Sequence, residues 1–176
     1  MKLFSLSLFI ALFFSGCFSQ PKPESAYMYD SSKDLLTYTY DPSLEQPHDS
    51  HYDSWIQEAL FDEYKKWYKT PYRYGGRTQY GIDCSALVQN IYDEAFGIHI
   101  PRTTRGQIKY GYRVSRNKMR EGDIIFFKTG YDSRHAGIII QKDKFLHASQ
   151  KHGVIISSVY NPYWRTKFLQ LRRVLP

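Results

Sequence analysis

The alternation of apolar and polar positions divides this chain into stretches of different character. Leu3–Phe14 is an apolar run, interrupted only by Ser5 and Ser7 and preceded by a single charge, Lys2. At twelve residues it is too short to cross a bilayer, which takes roughly 20. From residue 18 to 53, Pro, Ser, Asp and Tyr are scattered without a sustained period, apart from a possible short strand at Leu35–Tyr40. A helical period then sets in: Trp55, Ile56, Ala59, Leu60, Tyr64, Trp67 and Tyr68 share one stripe, Ser54 and Gln57 form a capping-box pair at its start, and Pro71 ends it. After a Tyr- and Gly-rich loop, Pro71–Ile82, a second helix follows. Asp83 is its N-cap, Cys84 its first residue, Leu87, Val88, Ile91, Tyr92, Ala95 and Phe96 its buried stripe, and Gly97 its stop. Positions 84, 87, 88 and 91 lie on one face, so the thiol points inward. Arg102–Tyr110 reads as a third helix. Beyond it the period shortens to strands: Gly122–Lys128, two strands about a turn within His135–Ser149, Gly153–Val159, and an edge strand at Phe168–Leu175. Helices first and an antiparallel sheet second predict an α+β fold.

Composition adds export and charge. The apolar run suits a signal sequence, and Phe14-Ser15-Gly16-Cys17 resembles a bacterial lipobox, whose cysteine would be lipidated after cleavage behind residue 16. Ordinary cleavage a few residues on, giving a soluble product, is the alternative. The expected organisation is a signal peptide over 1–16, a lipidated Cys17 and flexible acidic tether over 17–53, and one folded domain over 54–176. Residues 18–53 hold seven acids against two lysines, whereas 54–176 hold ten acids against 21 Lys and Arg, a net of +11. A basic domain favours an anionic polymer. The export signal argues against nucleic acid.

With Cys17 acylated, Cys84 is a lone thiol in an oxidising compartment. A small buried hydrophobe or a Cys17–Cys84 disulfide would explain it structurally. A helix N-terminus, however, favours the thiolate, and the thiolate is the nucleophile of acyl transfer. His135 and His147, twelve residues apart in one hairpin, supply a base and a group to orient it. The same three side chains lack a fourth ligand for zinc, so no metal is expected. A regular two-residue turn at Lys142-Asp143 would oppose His147 to Ile138 and turn His135 to the other face. The pair of imidazoles therefore demands an odd-length loop or a bulge between Ile140 and Phe145.

The segments PYRYGG, GIDCSALVQ, IPRTTRGQ, MREGDIIFF, RHAGIII, FLHAS, GVIISS and YWRTKFLQLRRVL, in this order over some 120 residues, resemble the NlpC/P60 cysteine peptidases, nearest their Spr/MepS-type lipoproteins. Ala86 stands where the family usually has Gly, and Ala136 where Val is common. The resemblance implies a papain-like fold and a peptidoglycan endopeptidase with Cys84, His135 and His147 as catalytic residues and no cofactor. It assigns Tyr72 to the oxyanion site, Asp83 and Ser85 to the flanks of the nucleophile, and Arg102 either to a substrate carboxylate or to a structural ion pair. The expected mechanism starts from a Cys84–His135 ion pair. The implied partners are peptidoglycan stem peptides and, through Cys17, the outer membrane facing the periplasm; a monomer is expected. The D-alanyl–diaminopimelate cross-link is the favoured bond. Cleavage between γ-D-glutamate and diaminopimelate and a non-catalytic wall-binding lipoprotein are the alternatives.

Overall fold

The computed structural model describes residues 50–176, with side chains from Ser54 onward. The expected signal peptide, Cys17, the Leu35–Tyr40 strand and the tether up to residue 49 lie outside the described residues, whereas residues 50–53, expected in the tether, are the first turn of a helix.

Helix α1 (Ser50–Trp67) starts ahead of the expected cap, so that Ser54 is an exposed residue inside it. Its buried stripe is Ile56, Leu60, Glu63 and Trp67, whereas Trp55 and Tyr68 are about half exposed. The chain leaves α1 beside the sheet: Lys69 N–H bonds the Val154 carbonyl, and Val154 N–H returns to Thr70. This approach explains Gly153, whose φ is +71° and where a Cβ would lie 2.5 Å from the Thr70 carbonyl oxygen. The Tyr- and Gly-rich loop contains a two-rung ladder of β1 (Arg77–Thr78) and β2 (Gly81–Ile82), and Tyr72 bridges to Ile82. That ladder was invisible to periodicity, which needs longer runs.

Helix α2 (Cys84–Phe96) is capped as the sequence requires. The Asp83 side chain accepts from Ala86 N–H, and Gly97 closes the helix in the left-handed region at φ 66°. The expected third helix shrinks to α3 (Thr104–Gln107), capped by Thr103. Six strands form an antiparallel sheet in the order β3-β8-β4-β5-β6-β7. They are β3 (Tyr112–Val114), β4 (Ile124–Lys128), β5 (Arg134–Gln141), β6 (Lys144–Ser149), β7 (Gly153–Ser158) and β8 (Phe168–Arg173). The closing strand is therefore not an edge. β8 lies between β3 and β4, and the three-residue β3, too short to show a period, takes the edge. Helix α4 (Pro162–Lys167), announced only by an Asn161 cap and Pro162 at its first turn, precedes β8.

β4 and β5 read as near-continuous apolar runs because both faces of the sheet are covered. On one face Ala136, Ile138, Ile140, Leu146 and Ala148 pack with Leu87, Val88, Ile91 and Tyr92 of α2. On the other, Ile125, Phe127, Ile139, Phe145 and Leu171 form a second cluster, closed by Trp164 and Phe168. One charge is fully buried within this framework. Asp123 takes Arg173 in a two-pronged pair, Nε to Oδ1 at 2.7 Å and Nη2 to Oδ2 at 2.9 Å, with Arg120 N–H at 3.0 Å on Oδ2. Truncating one member of such a pair strands the other charge. Asp123→Ala is expected to lower unfolding free energy by about 3 kcal/mol, read from urea midpoints at neutral pH.

Candidate functional site

The hairpin carries the decisive register. Ile138 faces Leu146 and Ile139 faces Phe145, but Gln141 faces Lys144, so the extra residue is Ile140. The two-residue turn survives and a bulge supplies the required odd count. Alternation from Phe145 and Ile139 then puts His147 and His135 on one face. Their rings meet: His135 Nε2 and His147 Nδ1 are 2.9 Å apart. That distance holds one proton, and a second lies between His147 Nε2 and Ser157 Oγ, also 2.9 Å apart. Gly137, two residues from His135 on the face the imidazoles share, is needed for close approach of the strands. A Cβ there would lie 2.7 Å from both the Leu146 carbonyl oxygen and the Phe145 ring.

This is the face of the second cluster, not the one on which the apolar stripe of α2 packs. The link to Cys84 runs through the strand edge. Ile139 N–H bonds Asp123 on the β4 side, so Ala136 N–H, an odd number of residues away, points towards β6. Pairing with β6 begins only at Ile138. The N–H of Ala136 is instead donated to the Cys84 sulfur. The thiol thus sits against the residue that follows His135, 6% exposed, and its charge also opposes ionisation of the Tyr72 phenol.

Electrostatics modify one expectation. Burial pushes the Cys84 thiol up, and the Asp83 charge adds to this; the N–H groups of Ala136, Ser85 and Cys84 pull the other way without cancelling it. Burial lowers His135 to about 4. His147 falls well below 6.5 through burial and the neighbouring His135. Desolvation thus favours thiol and neutral imidazole at rest, and opposes the expected preformed ion pair.

The flanking residues form a separate network. Ser85 Oγ donates to Asp83 Oδ1 at 3.0 Å, and Arg102 reaches Asp83 Oδ1 and Oδ2 at 2.9 and 2.7 Å and Ser85 Oγ at 2.9 Å. Burial would raise the Asp83 carboxyl, but Arg102 and the Ala86 N–H outweigh it and hold it below 3.8. Of the two roles open to Arg102, the ion pair is the one present. These three side chains fix the helix start, and with it the sulfur. Tyr72 differs: it lines a cleft of about 600 Å³ together with His135, His147 and Ser157.

Sequence reasoning missed Trp164 and Ser157. Trp164 stacks on His135 at 5.1 Å and 22°, and meets His147 edge-on at 5.1 Å. Phe145 stacks on His147 at 4.6 Å and meets Trp164 edge-on at 5.4 Å. Alternation along β7 could have flagged Ser157, because it lies two residues from Ile155, which faces His147 across the strands. Nothing in the local pattern marks Trp164.

A thiol at a helix start, a strand-borne pair of imidazoles and an antiparallel sheet define the α+β class of papain-like folds. The chain belongs to the NlpC/P60 family, whose model matches residues 69–173. It is 44% identical over 120 residues to the murein DD-endopeptidase MepS/murein LD-carboxypeptidase of Escherichia coli (strain K12), covering 68% of this chain and 64% of that protein. It thus spans somewhat less than two thirds of that relative's length. It is 36% identical over 121 residues to the gamma-DL-glutamyl hydrolase of Bacillus subtilis (strain 168), covering 67% of this chain and 28% of that one. Among solved structures, an NlpC/P60 family protein from Bacillus cereus superposes with a TM-score of 0.62 at 29% identity, over 68% of this chain and 40% of that one.

Proposed function

We propose that this protein is a peptidoglycan endopeptidase that hydrolyses an amide bond in murein stem peptides by thiol catalysis. The observation that carries the reading is the buried 2.9 Å imidazole pair beside a cysteine at a helix N-terminus, opening on a peptide-sized cleft. Cys84 is the nucleophile and His135 the base. As sulfur bonds to the scissile carbonyl carbon, its proton passes to His135, and the oxyanion is met by N–H groups at the start of α2 and by the Tyr72 hydroxyl. His135 then gives that proton to the leaving amine as the C–N bond breaks, leaving a thioester. Water, deprotonated by His135, attacks the thioester; sulfur leaves and regains the proton. Because desolvation keeps His135 neutral at rest, proton transfer accompanies attack. Trp164, stacked on the ring, favours the transient imidazolium by a cation–π contact.

His147 orients the base. When His135 is protonated on both nitrogens, its Nε2–H must donate, so His147 Nδ1 must accept and its proton sits on Nε2, donated to Ser157 Oγ. Ser157→Ala removes that acceptor. Kcat is expected to fall about tenfold with KM unchanged, the value of one lost hydrogen bond, and Ser157→Thr should restore most of it. Steady-state kinetics on a purified muropeptide measures both.

The favoured bond is the D-alanyl–diaminopimelate cross-link, in keeping with the name of the E. coli relative. The gamma-DL-glutamyl hydrolase relative supports cleavage at γ-D-glutamate as the second reading. Incubating purified dimeric and monomeric muropeptides and weighing the products separates them. Loss of dimers with intact tetrapeptide monomers fits the first reading, shortened monomers fit the second, and no product from either overturns the proposal. The Cys17 lipid anchor and the outer-membrane position facing the periplasm rest on the lipobox-like Phe14–Cys17 and on Phe18, which is not the Asp of inner-membrane retention. A globomycin-sensitive size shift tests the anchor.

A further inference from the structure

Five of the eleven arginines among the described residues are committed to partners within the fold. Arg102 holds Asp83, Arg173 holds Asp123, and Arg172 donates to the carbonyls of Ile108 and Gly111. Arg116 donates to the Val159 carbonyl and Arg120 to that of Pro176. Of the other six, only Arg134 lines the cleft of the imidazole pair. It is half-buried on the residue before His135 and has no hydrogen-bonded or ionic side-chain partner among the described residues. Lys151 lines the cleft as well, equally unpartnered there. No Asp or Glu contributes to the cleft wall. Arg134 also stands opposite Lys128 across β4–β5, and like charges in that position repel. A site that gathers unpaired cations, excludes acids and tolerates a facing like charge is complementary to an anion.

We propose that Arg134, with Lys151 in the same cleft wall, is a carboxylate-recognition subsite: the bound peptide presents a free carboxylate, close to the scissile amide, to the Arg134 guanidinium. The inference deepens the endopeptidase reading and rests on it for the identity of the peptide. It makes the enzyme selective for stem peptides whose carboxylates are free over the same peptides carrying carboxamides. The planar guanidinium engages a carboxylate through two parallel N–H groups, a geometry that an amide cannot match and that lysine cannot supply. This is also one of the two roles the family resemblance offered to Arg102, moved to the unpaired arginine of the cleft wall.

The test uses the full chain and a pair of synthetic muropeptides differing only in carboxylate against carboxamide on the diaminopimelate residue. Kcat/KM for the acid is expected to exceed that for the amide by about 10- to 100-fold, the value of a charge-assisted pair. Arg134→Ala is expected to remove that preference by lowering the acid's value while sparing the amide's, and Arg134→Lys to restore only part of it. Equal rates for the two peptides with the parent, or an equal fall for both in Arg134→Ala, overturns the subsite. Calorimetric binding of the same pair to a Cys84→Ala variant reads the preference without turnover. Acid-selective binding that Arg134→Ala abolishes supports the subsite even if the parent cleaves neither peptide, a result that would sink the endopeptidase reading alone. Indifferent binding overturns the subsite whatever the parent cleaves.

Discussion

Cys84→Ala is expected to fold with the parent's stability to within about 1 kcal/mol and to lose at least about 10⁴-fold in muropeptide hydrolysis. The side chain is 6% exposed and small, so its loss leaves little cavity. Its chemistry has no substitute nearby. Ser85 is the neighbouring hydroxyl, but it is buried, donates to Asp83 Oδ1 and receives Arg102, which fixes it as part of the helix cap. Tyr72 shares the cleft, yet burial and the Cys84 charge push its phenol above 10, away from the ionised form. Residual hydrolysis comparable to the parent's, in a variant whose circular dichroism is unchanged, would remove Cys84 from the reaction and the thiol mechanism with it. Cys84→Ser is the sharper companion: it keeps a nucleophile of similar shape with a much higher pKa. Activity as low as that of the alanine variant is expected.

The parts of the fold that were legible in advance are those in which one local rule dominates. Helix α2 could be bounded to the residue because Asp83 and Gly97 each satisfy orphaned backbone groups at its ends. The bulge could be required before it was seen, since side-chain direction has a strict period of two and two imidazoles twelve residues apart satisfy a shared face in only one parity. Legibility failed where tertiary contacts decide. β3 is three residues long and exists because β8 lies beside it; α4 is six residues and closes over Phe127 and the imidazoles through Trp164. Arg102 and Arg134 look equivalent as letters. The difference is that the turn preceding α2 brings the Asp83 carboxylate to the first, whereas β5 delivers the second to a cleft wall without acids.

The same desolvation that shapes the chemistry should make the protein acid-labile in a defined window. His135 titrates at about 4 in the fold and at 6.5 when unfolded. The unfolded chain therefore binds the proton more readily, and stability rises with pH wherever that holds. The contribution is complete above pH 6.5 and disappears progressively as pH falls towards 4. A difference of this size corresponds to about 3 kcal/mol. His147 is lowered as well and adds in the same direction. Carboxyls act with mixed sign. Asp123 and Glu94, raised by burial, bind protons more readily in the fold and oppose the loss, whereas Asp83, held low by Arg102 and the Ala86 N–H, adds to it only as pH falls below 3.8. Between pH 6.5 and 4.5 the imidazoles should dominate. Urea midpoints taken at half-unit steps should therefore decline across that interval, and the decline should shrink by about half or more in His147→Gln, whose amide occupies the place without titrating. A midpoint flat from pH 7 to 4.5 would mean that water or a charged neighbour solvates these rings. The argument for a neutral resting base would then fall, leaving a preformed thiolate–imidazolium pair as the state from which attack begins.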